Sequence, residues 1–459
     1  MLRKDDFGKD FAWGVSTAAY QVEGGSDLHL KGESIWDVFV KQKGKIFQNH
    51  TGEVACDFYF RYAKDISLMA GLNISNHRFS VAWSRIIRAG TGKINPAGID
   101  FYNRMIDFCL SLNIVPWITL YHWDLPSELE KKGGWVNRYI VDWFEDFVAL
   151  CIKNFGDRVT NWMVLNEPMV FTGAGYFLGV HAPGRKGLNN FLAATHHAAL
   201  CQARGGAVIK SLQSQSNVGT TFSCSHIEPF RKIEKDIVAA QKVDALLNRL
   251  FIEPLLGLGY PVKNLKILER MEKFMKRDDE KNLAFKMDFI GVQNYTREIV
   301  SHAMFMPFMR AKIIKASKRN VETTLMNWEI YPESIYNILI KYSAYKNIPP
   351  LIVTENGAAF QDVVRNDEVH DPKRIQYLRE NISQVLRARQ EGVNVNGYFI
   401  WTFLDNFEWA EGYYPRFGLV HVDFATQKRI VKSSGKWYSQ FLKNVPVDEP
   451  KIMGENIFH

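Results

Sequence analysis

The segment IPPLIVTENGAAF, residues 348–360, delivers an acid at the end of an apolar run. Residues 351–353 are branched aliphatics, which is typical of a buried strand, and Glu355 follows them directly before Asn356 and Gly357. Asn-Gly is also the commonest two-residue hairpin turn. On this segment alone, Glu355 is either the solvated end of a hairpin strand or a carboxylate presented by a buried one.

A second segment, RVTNWMVLNEPMV at residues 158–170, repeats the pattern. Its apolar run at 162–165 ends on Asn166, Glu167 and Pro168, and proline closes a strand because it cannot donate to a sheet ladder. Two buried strands, far apart in the chain, therefore each end on a glutamate. Only a closed or layered sheet can bring two such ends together.

Eight short apolar segments recur along the chain, each followed by a helical pattern. The strand candidates are residues 11–21, 73–83, 113–124, 160–167, 217–223, 289–295, 351–355 and 395–403. Between them lie amphipathic stretches such as 58–69 and 139–155. Alternating strands and helices predict an α/β fold with a parallel sheet, and eight such units predict a single (β/α)8 TIM barrel. Because no low-complexity linker interrupts the series, we predict one domain over residues 1–459.

In such a barrel the active site lies at the C-terminal ends of the strands. Polar and aromatic residues stand at those ends here, namely Gln21, Glu23, Arg78, His122, Trp123, Asn166, Glu167, Gln293, Asn294, Tyr295, Glu355 and Trp401. Together they offer donors, acceptors and flat apolar faces, which suits a polyhydroxylated ring. Asn166 and Glu167 are neighbours, so both can face one site only if the strand ends or bulges there.

The composition narrows the class of protein. The 459 residues are 46% hydrophobic, enough for a large core, and the N-terminus MLRKDDFGKDFAWG is charged where a signal peptide needs an apolar run. No segment approaches the ~20 apolar residues of a membrane span. The five cysteines are odd in number and include no C-x-x-C pair. We therefore predict a cytoplasmic protein with reduced thiols and no membrane partner.

The net charge of +8 does not by itself predict a nucleic-acid partner, because the charges are mostly dispersed. The one cluster comprises Arg310, Lys312, Lys315, Lys318 and Arg319. We interpret it as a solvated face rather than an anion-binding patch, since charge runs usually are solvated. No nucleic-acid partner is expected.

The motifs at the strand ends resemble those of glycoside hydrolase family 1, the retaining β-glucosidases. The similarity spans nearly the whole chain, through FAWGVSTAAYQVEG (11–24), YHWDLPSEL (121–129), WMVLNEP (162–168), VTENG (353–357) and TFLDNFEWAEGYYPRFGLVHVD (402–423). The resemblance implies that Glu167 is the general acid/base and Glu355 the nucleophile. The predicted sugar-binding residues around them are Gln21, His122, Trp123, Asn166, Tyr295, Trp328, Trp401, Glu408 and Trp409.

A retaining mechanism needs two carboxyl groups ~5 to 5.5 Å apart, one to attack the anomeric carbon and one to protonate the departing oxygen. It also needs unequal pKa values, with Glu355 ionised and Glu167 protonated in the free enzyme. We expect Arg78 and the Tyr295 hydroxyl to keep Glu355 ionised, and the nearby negative charge to raise the pKa of Glu167. This chemistry needs no metal and no organic cofactor.

The resemblance implies that small β-glucosides and cello-oligosaccharides are the substrates. The family's phospho-glycosidase branch carries serine and basic residues after strand eight, whereas this chain carries Glu408. We expect an anionic Glu408, and hence an unphosphorylated sugar. β-Galactosidase and β-fucosidase activities share such a site, so they remain alternatives, and a sugar-binding barrel without catalysis is a weaker one.

Two departures from the family pattern affect individual residues. Where the family commonly reads Asn-Tyr-Tyr after strand six, this chain has Gln293, Asn294 and Tyr295, which leaves the roles of the first two open. The loop GGSDLHLKGESIWD, residues 24–37, also differs, and no function is attached to it.

Two other site types fit the sequence less well. The run GAGYFLG at 173–179 is glycine-rich, but its glycines do not match the G-x-G-x-x-G spacing of a nicotinamide-binding turn. His196 and His197 are adjacent, and adjacent helical residues point about 100° apart, so they lack the one-face pairing of a zinc motif. Core or interface packing is the expected role of these histidines.

Overall fold

The computed structural model describes residues 2–26 and 31–445, in which eight parallel strands close into a barrel. Each strand pairs with its neighbours in chain order, and the first pairs with the eighth. The barrel strands are Ala12–Ser16, Asn76–Ser80, Val115–Tyr121, Asn161–Asn166, Asn217–Ser223, Phe289–Gln293, Leu351–Asn356 and Val395–Trp401. The predicted TIM barrel and its eight strands are confirmed.

Several strands are shorter than the sequence predicted. The first was expected over 11–21 but ends at Ser16, because residues 19–22 turn into a short helix that carries Gln21. The eighth was expected over 395–403 and ends at Trp401. Gln21 and Glu23, which we assigned to the end of the first strand, therefore lie on the segment that follows it, whereas Trp401 is the last residue of the eighth strand as predicted.

Helices cover the outside of the barrel, and the predicted stretches 58–69 and 139–155 form Phe58–Gly71 and Ile140–Phe155. The other α-helices are Ala19–Val22, Ile35–Phe39, Trp83–Ile86, Pro96–Ser111, Ser127–Lys131, Pro168–Thr172, Leu188–Leu212, Glu234–Asp244, Ile252–Leu255, Asp279–Asn282, Glu333–Ser343, Pro372–Gln390 and Ser433–Leu442. The 3-10 helices are Lys4–Phe7, Phe47–Asn49, Gly134–Val136, Lys266–Phe274, Ala316–Lys318 and Trp409–Glu411, and the π-helices are Gly173–Leu178 and Ala245–Arg249. No helix in residues 2–26 and 31–445 is both long and apolar enough to cross a bilayer.

Three small sheets outside the barrel were not predicted. His226–Pro229, Arg297–His302 and Ala311–Ile313 form a three-stranded sheet after strands five and six, at the C-terminal end of the barrel. Val364–Arg365 pairs with Glu368–Val369, and Val420–Asp423 pairs with Lys428–Val431. Of these sheets, the three-stranded one contributes Glu298 to the lining of the cavity at this end of the barrel.

The barrel interior is divided between an apolar layer and a polar layer. Trp117, Met163, Phe289, Ile352 and Phe399 fill the lower part of the barrel as one buried cluster. Arg78, on the second strand, lies next to this layer, and its Nε donates to the sulfur of Met163 at 3.0 Å. The apolar layer thus forms the floor beneath the polar strand ends.

Outside the barrel wall, the main apolar core runs from Phe7 to Leu442. The single-domain prediction covers residues 1–459, and of these, residues 1, 27–30 and 446–459 lie outside the described residues. Residues 27–30 are part of the loop at 24–37.

Candidate active site

A cavity of about 350 Å³ opens at the C-terminal ends of the strands. Nine predicted site residues line it, namely His122, Trp123, Glu167, Tyr295, Trp328, Glu355, Trp401, Glu408 and Trp409. The other three contact this group: Arg78 reaches Glu355, Asn166 reaches His122, and Gln21 reaches Glu408. The barrel therefore brings the whole predicted set together.

Glu355 lies one residue before the end of the seventh strand, where two donors hold its carboxylate. Arg78 Nη1 binds Oε1, and the Tyr295 hydroxyl donates to Oε2 at 2.6 Å. Each oxygen thus has its own donor, and the side chain is 4% exposed. The carboxylate is fixed in orientation before any ligand arrives.

The Asn356-Gly357 pair is not the hairpin turn that the sequence left open. Asn356 continues the seventh strand and its amide donates to the carbonyl of Asn294 at 2.6 Å. Gly357 is required by close packing, since a Cβ there would lie 1.9 Å from the carbonyl oxygen of Trp401. The glycine lets the end of strand seven pack against the end of strand eight.

Glu167 stands at a break in the backbone. Asn166 is the last residue of the fourth strand, and Glu167 adopts a left-handed conformation, φ 45° and ψ 62°, directly before the helix Pro168–Thr172. Pro168 starts that helix at a position where a missing N–H costs nothing. The break lets Asn166 and Glu167 serve one site, as the strand-end prediction required.

The side chain of Asn166 connects four other side chains of the site by hydrogen bonds. Its Oδ1 accepts from Arg78 Nη2, from Gln293 Nε2 at 2.8 Å and from Thr221 Oγ1 at 3.1 Å. Its Nδ2 lies 3.1 Å from His122 Nε2. Burial lowers the pKa of His122 well below its usual range, so the imidazole is neutral and Nε2 can accept from this amide.

The two catalytic candidates have unlike electrostatic surroundings. Burial, and then the negative charge of Glu355, raise the pKa of Glu167 well above its usual range. Burial also raises the pKa of Glu355, but the charge of Arg78 and the hydrogen bond from Tyr295 act in the opposite direction. Glu167 therefore keeps its proton to higher pH than Glu355 does.

Glu408 differs from its expected anionic state. Burial, and then the charge of Glu355, raise the pKa of Glu408 to about 8, so in the free site it is largely protonated at neutral pH. Gln21 Nε2 lies 3.3 Å from its Oε2 and also donates to the carbonyl of Phe407 at 2.9 Å. The sequence could not reveal this protonation, because it depends on the depth of the loop and on a charge from another strand.

Aromatic rings form two walls of the cavity. His122 lies at 6.0 Å and 5.9 Å from the rings of Trp401 and Trp409, and Trp123 lies 4.6 Å from Trp409. On another wall, Trp328 packs on Tyr295 at 5.1 Å between ring centroids. These flat faces can pack on the C–H faces of a sugar ring.

The structure places Gln293 and Asn294, the two residues whose roles the sequence left open. Gln293 contacts Asn166, and its Oε1 is buried without a hydrogen-bond partner among the described residues. Asn294 instead turns away and donates to the carbonyl of Cys224 at 2.8 Å and to Ser334 Oγ at 2.9 Å. Gln293 therefore belongs to the site network, whereas Asn294 ties together the loops behind it.

Some residues that line the cavity were missed by the sequence reasoning, including His181, Thr296, Glu298 and Met326. They lie on loops and on the small three-stranded sheet, beyond the strand ends that directed the search. Glu23, by contrast, was placed at a strand end, yet its carboxylate is engaged by Arg85 Nε at 2.8 Å and by the Tyr102 hydroxyl at 2.6 Å.

The adjacent histidines of helix Leu188–Leu212 lie apart from this cavity. His196 Nε2 lies 2.8 Å from Asp279 Oδ2, and His197 Nδ1 lies 2.8 Å from the carbonyl of Trp135. Both are buried in helix packing, as expected.

Comparison with known proteins gives concordant results. The model of the family described as glycosyl hydrolase family 1 matches residues 3–446. The chain is 44% identical over 440 residues to β-glucosidase A of Thermotoga maritima, covering 95% of this chain and 98% of that protein. It is 41% identical over 448 residues to β-glucosidase A of Acetivibrio thermocellus, covering 96% and 99%.

Solved structures agree. The family 1 β-glucosidase of Thermotoga maritima superposes with a TM-score of 0.93 at 43% identity, covering 96% of this chain and 99% of that one. A structure of that enzyme in complex with deoxynojirimycin gives a TM-score of 0.92 with the same coverage and identity.

Proposed function

The chain belongs to glycosyl hydrolase family 1 and is a retaining β-glucosidase, and on that premise we propose that Glu355 is its nucleophile and Glu167 its general acid/base. The observation that carries this assignment is the unequal environment of two carboxyl groups on one cavity. Arg78 and Tyr295 stabilise the charge of Glu355, while burial and that same charge keep the proton on Glu167.

The proposed reaction has two displacements. In the first, a carboxylate oxygen of Glu355 attacks the anomeric carbon, the glycosidic C–O bond breaks, and Glu167 gives its proton to the departing oxygen. The charge of Glu355 is then lost in the ester, which removes a main cause of the raised pKa of Glu167. In the second, Glu167 takes a proton from water, the oxygen of that water attacks the anomeric carbon, and Glu355 leaves as a carboxylate.

We propose that the remaining predicted residues bind the glucosyl ring. Gln21 Oε1 and His122 Nδ1 are buried and lack a hydrogen-bond partner among the described residues, and sugar hydroxyls would supply one. Glu408 in its protonated form both donates to and accepts from hydroxyls. Trp401 and Trp409 offer apolar faces, and Trp123 holds the carbonyl of Asn166 through Nε1 at 2.9 Å.

Small β-glucosides are the substrates of this site, and we propose that cello-oligosaccharides are too. Thr296, Met326 and Trp328 line the cavity in addition to the predicted glucosyl-binding residues His122, Trp401 and Glu408, so it offers a surface to a leaving group as well. Two relatives at 43% identity bear the name 1,4-β-D-glucan glucohydrolase. Hydrolysis rates on nitrophenyl glycosides of glucose, galactose and fucose, and on cellobiose and cellotriose, test this range.

The cytoplasmic location is a separate proposal. All five cysteines are free and buried, so no thiol is cross-linked, which fits a reducing compartment. Fractionation of the native host, with activity measured in each fraction, tests it.

Mass spectrometry tests the division of labour. A 2-deoxy-2-fluoro dinitrophenyl β-glucoside, in which fluorine slows both displacements and the dinitrophenolate leaving group restores the first, should leave a fluoroglucosyl group esterified to the peptide that contains Glu355. Recovery of the label on the peptide of Glu167 would reverse the assignment.

A further inference from the structure

The excess positive charge of the chain falls within one segment. Residues 231–319 contain 19 Lys and Arg and 11 Asp and Glu, whereas the rest of the chain contains 38 of each. The net charge of +8 therefore belongs to this segment alone. The charges are less dispersed than the sequence pattern suggested.

A groove of about 590 Å³ lies on this segment, between helix Glu234–Asp244 and residues 263–270. Its lining includes four cations, and Glu269 is the only acid of that lining among the described residues. None of the four cations forms an ion pair with residues 2–26 and 31–445. The groove therefore carries an uncompensated positive charge, which attracts anions. The four cations are Lys242, Lys263, Lys266 and Arg270.

A loop with exposed apolar side chains stands beside the groove. Residues 304–308, the apolar tip, read MFMPF and connect two strands of the three-stranded sheet. The side chain of Phe305 is 94% exposed and that of Met304 is 69% exposed. Phe308 lines the groove, and its ring centroid lies 5.7 Å from Cζ of Arg270. The apolar tip and the cations of the groove thus belong to one continuous surface.

The backbone holds the apolar tip in this exposed position. The amide of Ala303 donates to the carbonyl of Arg310 at 2.9 Å, and the amide of Arg310 donates to the carbonyl of Met306 at 3.0 Å. Phe308 has a φ of 60°, a left-handed conformation that is rare for a bulky residue. A strained loop that leaves large apolar side chains in water is expected where another molecule covers them.

We propose that the apolar tip and the cationic groove form a docking surface for an anionic lipid bilayer. In this contact the side chains of Met304 and Phe305 enter the boundary between headgroups and acyl chains, and the cations of the groove meet the lipid phosphates. Apolar insertion and electrostatic attraction act together, as stable surface attachment requires. The sequence-based expectation of no membrane partner rested on the lack of a spanning segment, and surface attachment needs none. The proposal does not depend on the catalytic assignment.

The combination of apolar and cationic groups favours a bilayer over two other occupants. A nucleic acid would use the cations but would leave the unbranched side chains of Met304 and Met306 in water. A second copy of the chain carries the same excess charge, so two such surfaces would repel each other. An anionic bilayer offers phosphates to the groove and an apolar interior to the tip.

Sedimentation with lipid vesicles tests the proposal on the full-length protein. At low ionic strength it should bind vesicles of phosphatidylglycerol and phosphatidylcholine in equal parts at least about tenfold more tightly than vesicles of phosphatidylcholine alone. Most of this difference should disappear in about 0.5 M salt, because salt screens exposed charges.

The first variant removes the apolar contact. Phe305→Ser should weaken binding to the mixed vesicles about tenfold, because it removes the ring that enters the bilayer. The matched control is Phe60→Ser, which replaces a ring that is 66% exposed on helix Phe58–Gly71. This control should bind the mixed vesicles as the wild type does.

The second variant reverses two charges of the groove. Lys263→Glu combined with Lys266→Glu should weaken binding to the mixed vesicles by at least about thirtyfold. Its matched control is Lys43→Glu combined with Lys93→Glu, which changes the net charge equally at exposed lysines after the first and second strands. That control should weaken binding by about twofold or less. An unchanged melting temperature in all these variants shows that the fold is retained.

Three results would overturn the proposal. The first is a wild-type protein that does not bind the mixed vesicles. The second is an equal loss in each variant and its control, since binding would then not depend on this surface. The third is binding of poly(U) without binding of vesicles, which would assign the groove to a nucleic acid.

Analytical ultracentrifugation separates the remaining occupant. Self-association of the wild type that is lost in Phe305→Ser, together with no binding to vesicles, would assign the apolar tip to a second copy of the chain and refute the bilayer contact. A wild type and a Phe305→Ser variant that sediment alike, while only the wild type binds the mixed vesicles tightly, would support the bilayer contact.

Discussion

Tyr295 and Glu355 are joined by a hydrogen bond of 2.6 Å from the phenol hydroxyl to Oε2, the carboxylate oxygen that Arg78 leaves free. The bond links the loop after the sixth strand to the end of the seventh. Because a donor stabilises the ionised form of the carboxyl, this bond helps to keep the nucleophile charged in a buried site.

Tyr295→Phe should therefore raise the pKa of Glu355. The acidic limb of the kcat/KM profile reports ionisation of the nucleophile in the free enzyme, and it should move up by about 0.5 to 1 pH unit. The matched control is Tyr377→Phe, whose hydroxyl donates to the carbonyl of Tyr295 at 3.0 Å and does not touch Glu355. An acidic limb at the wild-type pH in Tyr295→Phe would show that the phenol does not set this pKa.

The two catalytic carboxyls should respond differently to amide substitution. Glu355→Gln should abolish turnover of every substrate, because no ester can form. Glu167→Gln should still release dinitrophenolate in a burst, since that leaving group needs no proton, while steady-state turnover falls by ~100-fold or more.

Rescue by azide shows which of Glu167 and Glu355 is the acid/base and which is the nucleophile. Added to Glu167→Ala, azide should restore turnover and yield the β-glucosyl azide, because a small anion attacks the ester without a base. Formation of the α-azide alone would mean that Glu167 is the nucleophile.

Glu408 should make discrimination against a 6-phosphate depend on pH. The carboxyl ionises with a pKa of about 8, so its repulsion of a phosphate dianion grows as the pH rises through that value. The ratio of kcat/KM for nitrophenyl β-glucoside to that for its 6-phosphate should rise up to about tenfold between about pH 7 and about pH 9.

Glu408→Gln is the control for this prediction, because the amide does not ionise. Its ratio should be flat over the same range. A wild-type ratio that is equally flat would rule out this carboxyl as the source of the discrimination.

A buried ion cluster around Lys432, which includes Asp405, should contribute to stability. Lys432 Nζ binds Asp405 Oδ1 at 2.6 Å and also Asp362, and both Lys432 and Asp405 are fully buried. Lys432→Met would leave two buried carboxylates without their shared cation. We expect a loss of ~3 to 5 kcal/mol in the free energy of unfolding, measured by denaturant titration.

The pH dependence of that loss has a definite sign. Burial alone would raise the pKa of Asp405, but the charges of Lys432 and Arg416 outweigh burial and lower that pKa below its usual value. Its contribution to stability is therefore present above the unfolded pKa and disappears as the pH falls through the folded one. Lys432→Met and wild type should differ less in acid than at neutral pH, and a constant difference would contradict the electrostatic explanation.

Strand ends are what made most of this site predictable. Arg78, Asn166, Glu167 and Glu355 stand at or beside the ends of barrel strands, so chain order and the parallel fold were enough to bring them together. The break at Glu167 was also foreseen, because neighbouring strand residues cannot otherwise share a face.

Other residues of the site could not be placed correctly from the local sequence pattern. Glu408 directly precedes the short 3-10 helix Trp409–Glu411, and only the family resemblance identified it. Gln21 was predicted at the end of the first strand, whereas it lies on a short helix after that strand. Glu298 lies on a strand that pairs with residues 226–229, a partner about 70 residues earlier in the chain, so periodicity could not place it. Protonation of Glu408 likewise depends on burial and on the distant Glu355.

The pairing of the first strand with the eighth has a consequence for how the protein is made. Ser16 pairs with Trp401, and Gln21 reaches Phe407 and Glu408, so the sugar-binding side joins the earliest and latest parts of the barrel to leave the ribosome. A nascent chain that has emerged through strand seven already carries Glu167 and Glu355, but its sheet has two open edges. During synthesis the two carboxylates therefore exist before the pocket that gives them a substrate, and that interval is when the chain most needs protection from aggregation.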